Sequence, residues 1–233
     1  FHPEEVLSIK AHETGFFFQC RYPFMRSIIK QRSASRGMTS LISSCIKLFP
    51  HQVKTVKRVL TDPVQRYLLA DEVGLGKTIE AGVILRQFLL DNLDGYVLIV
   101  VPDHLKDQWE YELKTKFGYD DFAHRIDLFT YDEIDRNRKI RSKYAFAIFD
   151  ESQYVASLQD VDNAQFRFYQ KLCNSAERLL LLSATPVVNN EKEFLAMLHL
   201  LSPACYPLNS LEQFRGKIEN RQQVGRCLLG LKP

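Results

Sequence analysis

The stretch that most limits how this chain can fold is Leu68-Leu69-Ala70-Asp71-Glu72-Val73-Gly74-Leu75-Gly76-Lys77-Thr78. Tyr67 to Ala70 is apolar and reads as a short buried strand, and Ile79 to Leu90 carries apolar residues at helical spacing. Strand, glycine-bearing turn and helix in that order are the setting of a phosphate-binding loop. The turn aims successive backbone N–H groups at one point, and the helix N-terminus adds its partial positive charge there. Gly74 and Gly76 allow left-handed backbone and close approach to a phosphate. Lys77 is then placed to reach the β- and γ-phosphates of a nucleotide, and the Thr78 hydroxyl to hold Mg²⁺. In the pattern G-x-x-x-x-G-K-[ST] the first glycine is replaced here by Asp71.

The segments around this loop predict an α/β domain. Pro50 opens a helix over His51 to Leu60, because proline suits a first turn, and Asp62-Pro63 ends it. Tyr96 to Val101 is a continuous apolar run, as expected of a strand buried on both faces. Pro102 breaks it, and a helix is predicted over Leu105 to Phe117. Further strands are expected at Ile126 to Thr130, Tyr144 to Phe149 and Arg178 to Leu182. Tyr131 to Lys143 reads as a short helix and loop, and helices are expected at Ala164 to Ala176, Glu191 to Leu201 and Leu211 to Leu229. Strands alternating with helices imply a parallel sheet covered on both faces. Residues 1–48 differ: β-favouring residues from Val6 to Arg21, then a basic stretch with Arg26, Lys30, Arg32 and Arg36, predict an accessory segment that is part strand and part loop. The expected organisation is this segment at 1–48, a nucleotide-binding lobe at 49–205 and a helical extension at 206–233.

Length and composition fit this reading. The chain has 233 residues and a net charge of +3, enough to bury a sizeable core and mild enough only to permit nucleic-acid binding. Its five cysteines show no C-x-x-C spacing, so reduced thiols are expected rather than a disulfide framework. No apolar run reaches about 18 residues, so no membrane partner is expected, and the expected location is cytoplasmic. The start at Phe1 suggests a piece of a longer protein.

Ala147-Ile148-Phe149-Asp150-Glu151 puts two carboxylates just past the C-terminal end of a strand, the edge at which ligands bind in open α/β sheets. Beside a phosphate loop, Asp150 is expected to hold Mg²⁺ through its water shell and Glu151 to orient and deprotonate the attacking water. Ser183 and Thr185, after the strand at 178–182, are candidates to bond toward this acidic pair. Gln52 is a candidate reader of an adenine edge, since an amide both donates and accepts. The basic run Arg136, Arg138, Lys139, Arg141, Lys143 reads equally as a polymer contact or a solvated face, and Trp109 as a core residue.

In this order the segments resemble the first motor lobe of superfamily-two helicase-like ATPases. Within that group they are similar to the Swi/Snf-type double-stranded DNA translocases. Leu48 to Gln52 resembles the Q-type motif, and Ala70 to Gly82 motif I, where an acidic residue often replaces the first glycine. Val97 to Pro102 with Leu105 and Gln108-Trp109 resembles motif Ia, and Phe129-Thr130-Tyr131 motif Ib. Asp150-Glu151-Ser152-Gln153 resembles motif II and Ser183-Ala184-Thr185-Pro186 motif III. The wording of motif I leans toward the bacterial branch that includes RNA-polymerase-associated and defence-system ATPases. The resemblance implies a RecA-like fold with ATP and Mg²⁺ as cofactors. It assigns nucleotide binding to Gln52, Asp71, Glu72, Val73, Gly74, Leu75, Gly76, Lys77 and Thr78, and catalysis to Lys77, Asp150 and Glu151. It further assigns coupling to Gln153, Ser183 and Thr185, and contacts with the phosphates of double-stranded DNA to His104, Lys106 and Thr130. Other subunits of a transcription or defence complex are implied partners. Gln153 stands where histidine is frequent. Motifs IV to VI, whose arginines would stabilise the transferring phosphoryl group, have no counterpart, and such an arginine is worth roughly 10³ to 10⁵ in rate, so this chain alone is expected to bind ATP weakly and hydrolyse it poorly. The rival readings are a strand-separating helicase, a nucleotide-gated interaction module with little ATPase activity, and a phosphate-loop metabolic kinase. The kinase leaves Gln108-Trp109 and the Ser183 segment unexplained.

Overall fold

The computed structural model describes residues 15–34, 37–47, 49–70, 74–137, 140–159, 163–184, 191–218 and 220. Its centre is a five-stranded sheet with the order β1-β5-β4-β2-β3, built from β1 (Arg66–Leu69), β2 (Val97–Val101), β3 (Ile126–Thr130), β4 (Phe146–Phe149) and β5 (Arg178–Leu182). Every pairing is parallel, with Arg66 opposite Leu179, Phe146 opposite Arg178, and Val97 opposite both Phe146 and Ile126. All residues of β2 and β4 are buried, as their unbroken apolar runs require.

The helices in chain order are α1 (Gly15–Ala34), α2 (Thr39–Ser43), α3 (Pro50–Thr61), α4 (Lys77–Asp91), α5 (Lys106–Phe117), α6 (Tyr131–Asn137), α7 (Gln153–Ser157), α8 (Ala164–Ser175) and α9 (Glu191–Leu201), and residues 211–218 are also helical. Successive residues of a strand point to opposite faces, and two separate cores follow from that alternation. Val97, Ile99, Val101, Phe146, Ile148, Leu180 and Leu182 pack with α3, α4 and α5. Leu98, Val100, Ala147, Phe149, Leu179 and Leu181 pack with α6, α7, α8 and α9. The expected RecA-like α/β sandwich is thus observed.

Buried polar contacts fasten the layers. Arg66 on β1 donates to the carbonyls of Cys173 and Ala176 beyond or at the end of α8, and of Leu200 and Leu201 at the end of α9, at 2.8–3.1 Å. A cation at the carbonyl end of two helices satisfies orphan acceptors and complements both dipoles. α2 lies against α4, with the Ser40 N–H donating to Gln87 Oε1 at 2.9 Å.

The accessory segment differs from expectation. Gly15–Ala34 is one helix with Pro23 inside it, not strand and loop, while Val6 and the rest of the first fourteen residues lie outside the described residues. Aromatic and β-branched residues read as strand only where a sheet surface receives them. Here Gln19, Arg21, Met25, Arg26 and Lys30 are good helix formers, and Phe16, Phe18, Tyr22 and Phe24 lie on the outside, with Phe16 76% exposed. The expected helix at 211–229 is observed for 211–218, and its remainder lies outside the described residues, apart from Asn220.

Candidate nucleotide-binding site

Local backbone sets the phosphate loop. Gly74 and Gly76 have φ of +88° and +87°, a region that side chains with a Cβ disfavour. Gly76 is also the N-cap of α4, so Lys77 and Thr78 begin a helix of 15 residues whose first N–H groups have no partner within the helix. A Cβ at Gly76 would collide with Gln52 Nε2. Asp71, Glu72 and Val73, the expected first half of the loop, lie outside the described residues.

Gln52 ties this loop to α3. It occupies the third position of α3, and its Oε1 accepts the N–H of the N-cap Phe49 at 3.0 Å, the return arm of a capping box. Its Nε2 donates to the Leu75 carbonyl at 3.0 Å. The side chain is buried, and among the described residues these bonds leave one N–H and one lone pair for a base edge.

Facing the loop, Asp150 follows β4 and is 6% exposed. Its N–H donates to the Val100 carbonyl at 2.8 Å, which extends the β4–β2 pairing by one residue. Oδ2 accepts the indole N–H of Trp109 at 2.8 Å, and Oδ1 accepts the Glu151 N–H at 2.9 Å. Tyr131 donates its hydroxyl to the Asp150 carbonyl at 2.7 Å. Burial pushes the Asp150 carboxyl above its ordinary range, and the neighbouring Glu151 charge adds to this. The Trp109 and Glu151 N–H groups and the Lys77 charge pull the other way without cancelling it.

Glu151 has φ +47°, which for a residue with a side chain costs about 1–3 kcal/mol and is typical of functional turns. Gln153 holds it, donating from Nε2 to Glu151 Oε2, while Gln153 Oε1 accepts the Ser183 hydroxyl at 3.0 Å. Ser183 in turn donates its N–H to the Leu69 carbonyl at 3.1 Å, at the end of β1. The chain Glu151–Gln153–Ser183–Leu69 therefore links the acidic pair to the strand that enters the phosphate loop. Thr185 lies outside the described residues.

The three candidate polymer contacts lie differently from one another. His104 is exposed in the 3₁₀ turn Asp103–Leu105. Lys106 opens α5 and forms an ion pair with both oxygens of Glu133, at 2.6 and 2.8 Å. Burial works to raise the Glu133 carboxyl, but the Lys106 ammonium and the Thr130 N–H outweigh it and hold the group below its usual range. Thr130 is buried. Its Oγ1 accepts the Glu133 N–H at 3.2 Å and its own N–H donates to Glu133 Oε2 at 2.9 Å, a capping box at the start of α6. Of the basic run, Arg136 pairs with Asp132, Lys143 with Glu177, and Arg141 with Asp127 while its guanidinium lies 3.7 Å from the Tyr96 ring centroid. Arg138 and Lys139 lie outside the described residues.

The donor set suits Mg²⁺. A buried carboxylate and a threonine hydroxyl at a helix start are hard oxygen ligands, and Mg²⁺ in nucleotide sites takes few protein ligands beside phosphates and water. Among the described residues no group of three or more His, Cys, Asp or Glu is placed to hold a metal by itself.

The profile of the SNF2-related domain family matches residues 51–126 and 122–229. This chain belongs to that family. Among its SNF2-family relatives, the RNA polymerase-associated protein RapA of Pseudomonas aeruginosa is 30% identical over 200 residues, 76% of this chain and 21% of the relative. RapA of Vibrio atlanticus is 31% identical over 211 residues, 80% of this chain and 22% of the relative. The chain thus spans about a fifth of the length of the curated relatives it matches. A solved structure titled Sulfolobus solfataricus SWI2/SNF2 ATPase core in complex with dsDNA shares the fold, with a TM-score of 0.61 and 22% identity over 74% of this chain and 39% of that one. Among the described residues no helix is long and apolar enough to cross a membrane. Two residues that reach the site, Trp109 and Tyr131, were not among the candidate site residues and stood only inside the motif Ia and motif Ib segments. Trp109 read as core from its sequence, and only its position after Gln108 at the motif Ia helix marked it.

Proposed function

We propose that this chain is the first motor lobe of an ATP-dependent translocase on double-stranded DNA that does not separate strands. The observation that carries the reading is that the Lys77 charge at the start of α4 acts on the buried Asp150 carboxyl just past β4, with Gln52 fastened to the loop at Leu75. The lobe is assigned to residues 49–205, with 206–233 leading toward a second lobe that would close over the nucleotide.

In this reading Lys77 and the first N–H groups of α4 bind the β- and γ-phosphates. The remaining N–H and lone pair of Gln52 meet the adenine edge. Asp150 and Thr78 supply the oxygen ligands for Mg²⁺, and the strained turn at Glu151 holds its carboxylate where it can accept a proton from water. Mg²⁺ bound there would neutralise charge on the transferring phosphoryl group. Gln153 and Ser183 relay the position of Glu151 to β1, which gives a path from hydrolysis to lobe movement. His104, Lys106 and Thr130 mark the edge along which DNA phosphates would lie, and such contacts carry little sequence information. The RNA polymerase association named for the RapA relatives makes a transcription complex the first partner to try.

Steady-state ATPase of the full-length protein, titrated separately with duplex DNA, single-stranded DNA and RNA, tests this. Stimulation by duplex DNA is expected, together with a fall of at least about 10²-fold in Lys77→Ala through loss of charge stabilisation. Stimulation by single strands alone would replace the reading with a strand-separating helicase. Full activity in Lys77→Ala would remove the nucleotide site.

A further inference from the structure

Trp109 lies in the layer of α3, α4 and α5, is 1% exposed, and packs among the aliphatic residues of that core. Tryptophan in a core normally brings a cost, because its N–H needs a partner there. The partner here is not a backbone carbonyl but the carboxylate of Asp150, 41 residues away in sequence. An indole N–H only donates, so this bond cannot invert, and a ring enclosed on all sides cannot turn to another acceptor. A carboxylate offers about four acceptor sites. Trp109 takes one on Oδ2 and the Glu151 N–H takes one on Oδ1, so both oxygens are fixed in place, each with one lone pair that no other described side chain or N–H takes.

We propose that Trp109 is a positioning residue for the cation site: its indole N–H fixes the rotamer of Asp150 so that the carboxylate meets Mg²⁺ already oriented. The inference rests on the nucleotide-site reading above and deepens it. Groups that orient a ligand from behind commonly govern metal affinity, and their loss costs about 10–100-fold. Trp109 is also the sole tryptophan of the chain, so one indole N–H reports on one carboxylate.

Two measurements on the 233-residue chain test it. In Trp109→Phe the ring remains and the N–H is lost. Binding of mant-labelled ADP without Mg²⁺ is expected to match the unaltered chain, while half-saturation by Mg²⁺ in the presence of ADP rises about 10–100-fold. A role limited to packing would weaken both together. In the unaltered chain the single indole ¹⁵N–¹H resonance is expected to shift when Mg²⁺ is added with ADP. In Asp150→Ala it is expected to sit elsewhere and ignore Mg²⁺. This second measurement decides the question if Trp109→Phe fails to fold. Unchanged Mg²⁺ half-saturation in Trp109→Phe, or an indole resonance indifferent to Mg²⁺ with ADP bound, overturns the inference and leaves the nucleotide site standing. No ADP binding with or without Mg²⁺ overturns both.

Discussion

The sheet face under α3, α4 and α5 is closed almost wholly by aliphatic and phenyl side chains. The opposite face, under α6 to α9, carries three buried tyrosines whose hydroxyls each end on a specific acceptor: Tyr131 on the Asp150 carbonyl, Tyr144 on Asp127 at 2.9 Å and Tyr169 on Asp135 at 2.9 Å. Burial of apolar surface has no direction, so the first face holds the sheet together without choosing where any one atom sits. A hydrogen bond has direction, so the second face also places chosen groups, among them the backbone of Asp150. From the aliphatic side the Trp109 indole N–H ends on that same residue. Asp150 is therefore held from both layers, by its side chain from one and by its backbone from the other.

Paired substitutions can break or sharpen this contrast. Ile99→Ala on the aliphatic face should cost about 2–5 kcal/mol in denaturant unfolding, through lost transfer energy and the cavity left behind. Tyr131→Phe on the other face conserves volume and should cost less, about 1–3 kcal/mol, from a buried carbonyl left without its partner. Equal losses in the two variants would dissolve the distinction between the faces.

The smallest effect is a pH dependence read at one residue of the tyrosine face. Burial pushes the Tyr144 hydroxyl up to about 12, with its bond to Asp127 adding to the shift and the Arg141 N–H opposing it. The folded value lies above the unfolded value near 10, so the folded form holds the proton more tightly. Its stabilising contribution is complete below about pH 10 and is lost as pH rises toward the folded value. Thermal unfolding followed between pH 9 and 11 should show a shallower decline in Tyr144→Phe than in the unaltered chain. Identical slopes would mean that the Asp127 bond does not favour the protonated hydroxyl.

What could be read from the sequence follows the same physics. β2 and β4 were legible because a strand covered on both faces has to be apolar throughout, and Pro102 and Asp150 punctuate their ends. The phosphate loop was legible because left-handed backbone at Gly74 and Gly76 leaves a residue-type signature. α1 reads from sequence as strand and loop because Phe16, Phe18, Tyr22 and Phe24 face outward, so no periodic burial distinguishes helix from strand. The short α7 directly after the acidic pair was missed, since five residues carry too little periodicity. Neither the strand order nor the Trp109–Asp150 bond could be deduced locally, because both join residues far apart in the chain. The Lys106–Glu133 pair is of the same kind: a lysine beside motif Ia reads as a free cation until its partner 27 residues later is placed.

The position of β1 has a consequence for how the protein is made. Among the described strands β1 pairs with β5 alone, with Arg66 opposite Leu179, and the Arg66 guanidinium closes on carbonyls at residues 173, 176, 200 and 201. A chain leaving the ribosome N-terminus first presents the phosphate-loop sequence early. That strand has no neighbour to pair with until more than a hundred residues have followed, and the helix ends that Arg66 grips are complete only with α8 and then α9. Such long-range closure is slow compared with helix formation. The candidate nucleotide site, near the start of the sheet in sequence, is therefore among the last parts of the fold to be assembled, and a stalled or shortened chain carries the motif without the site.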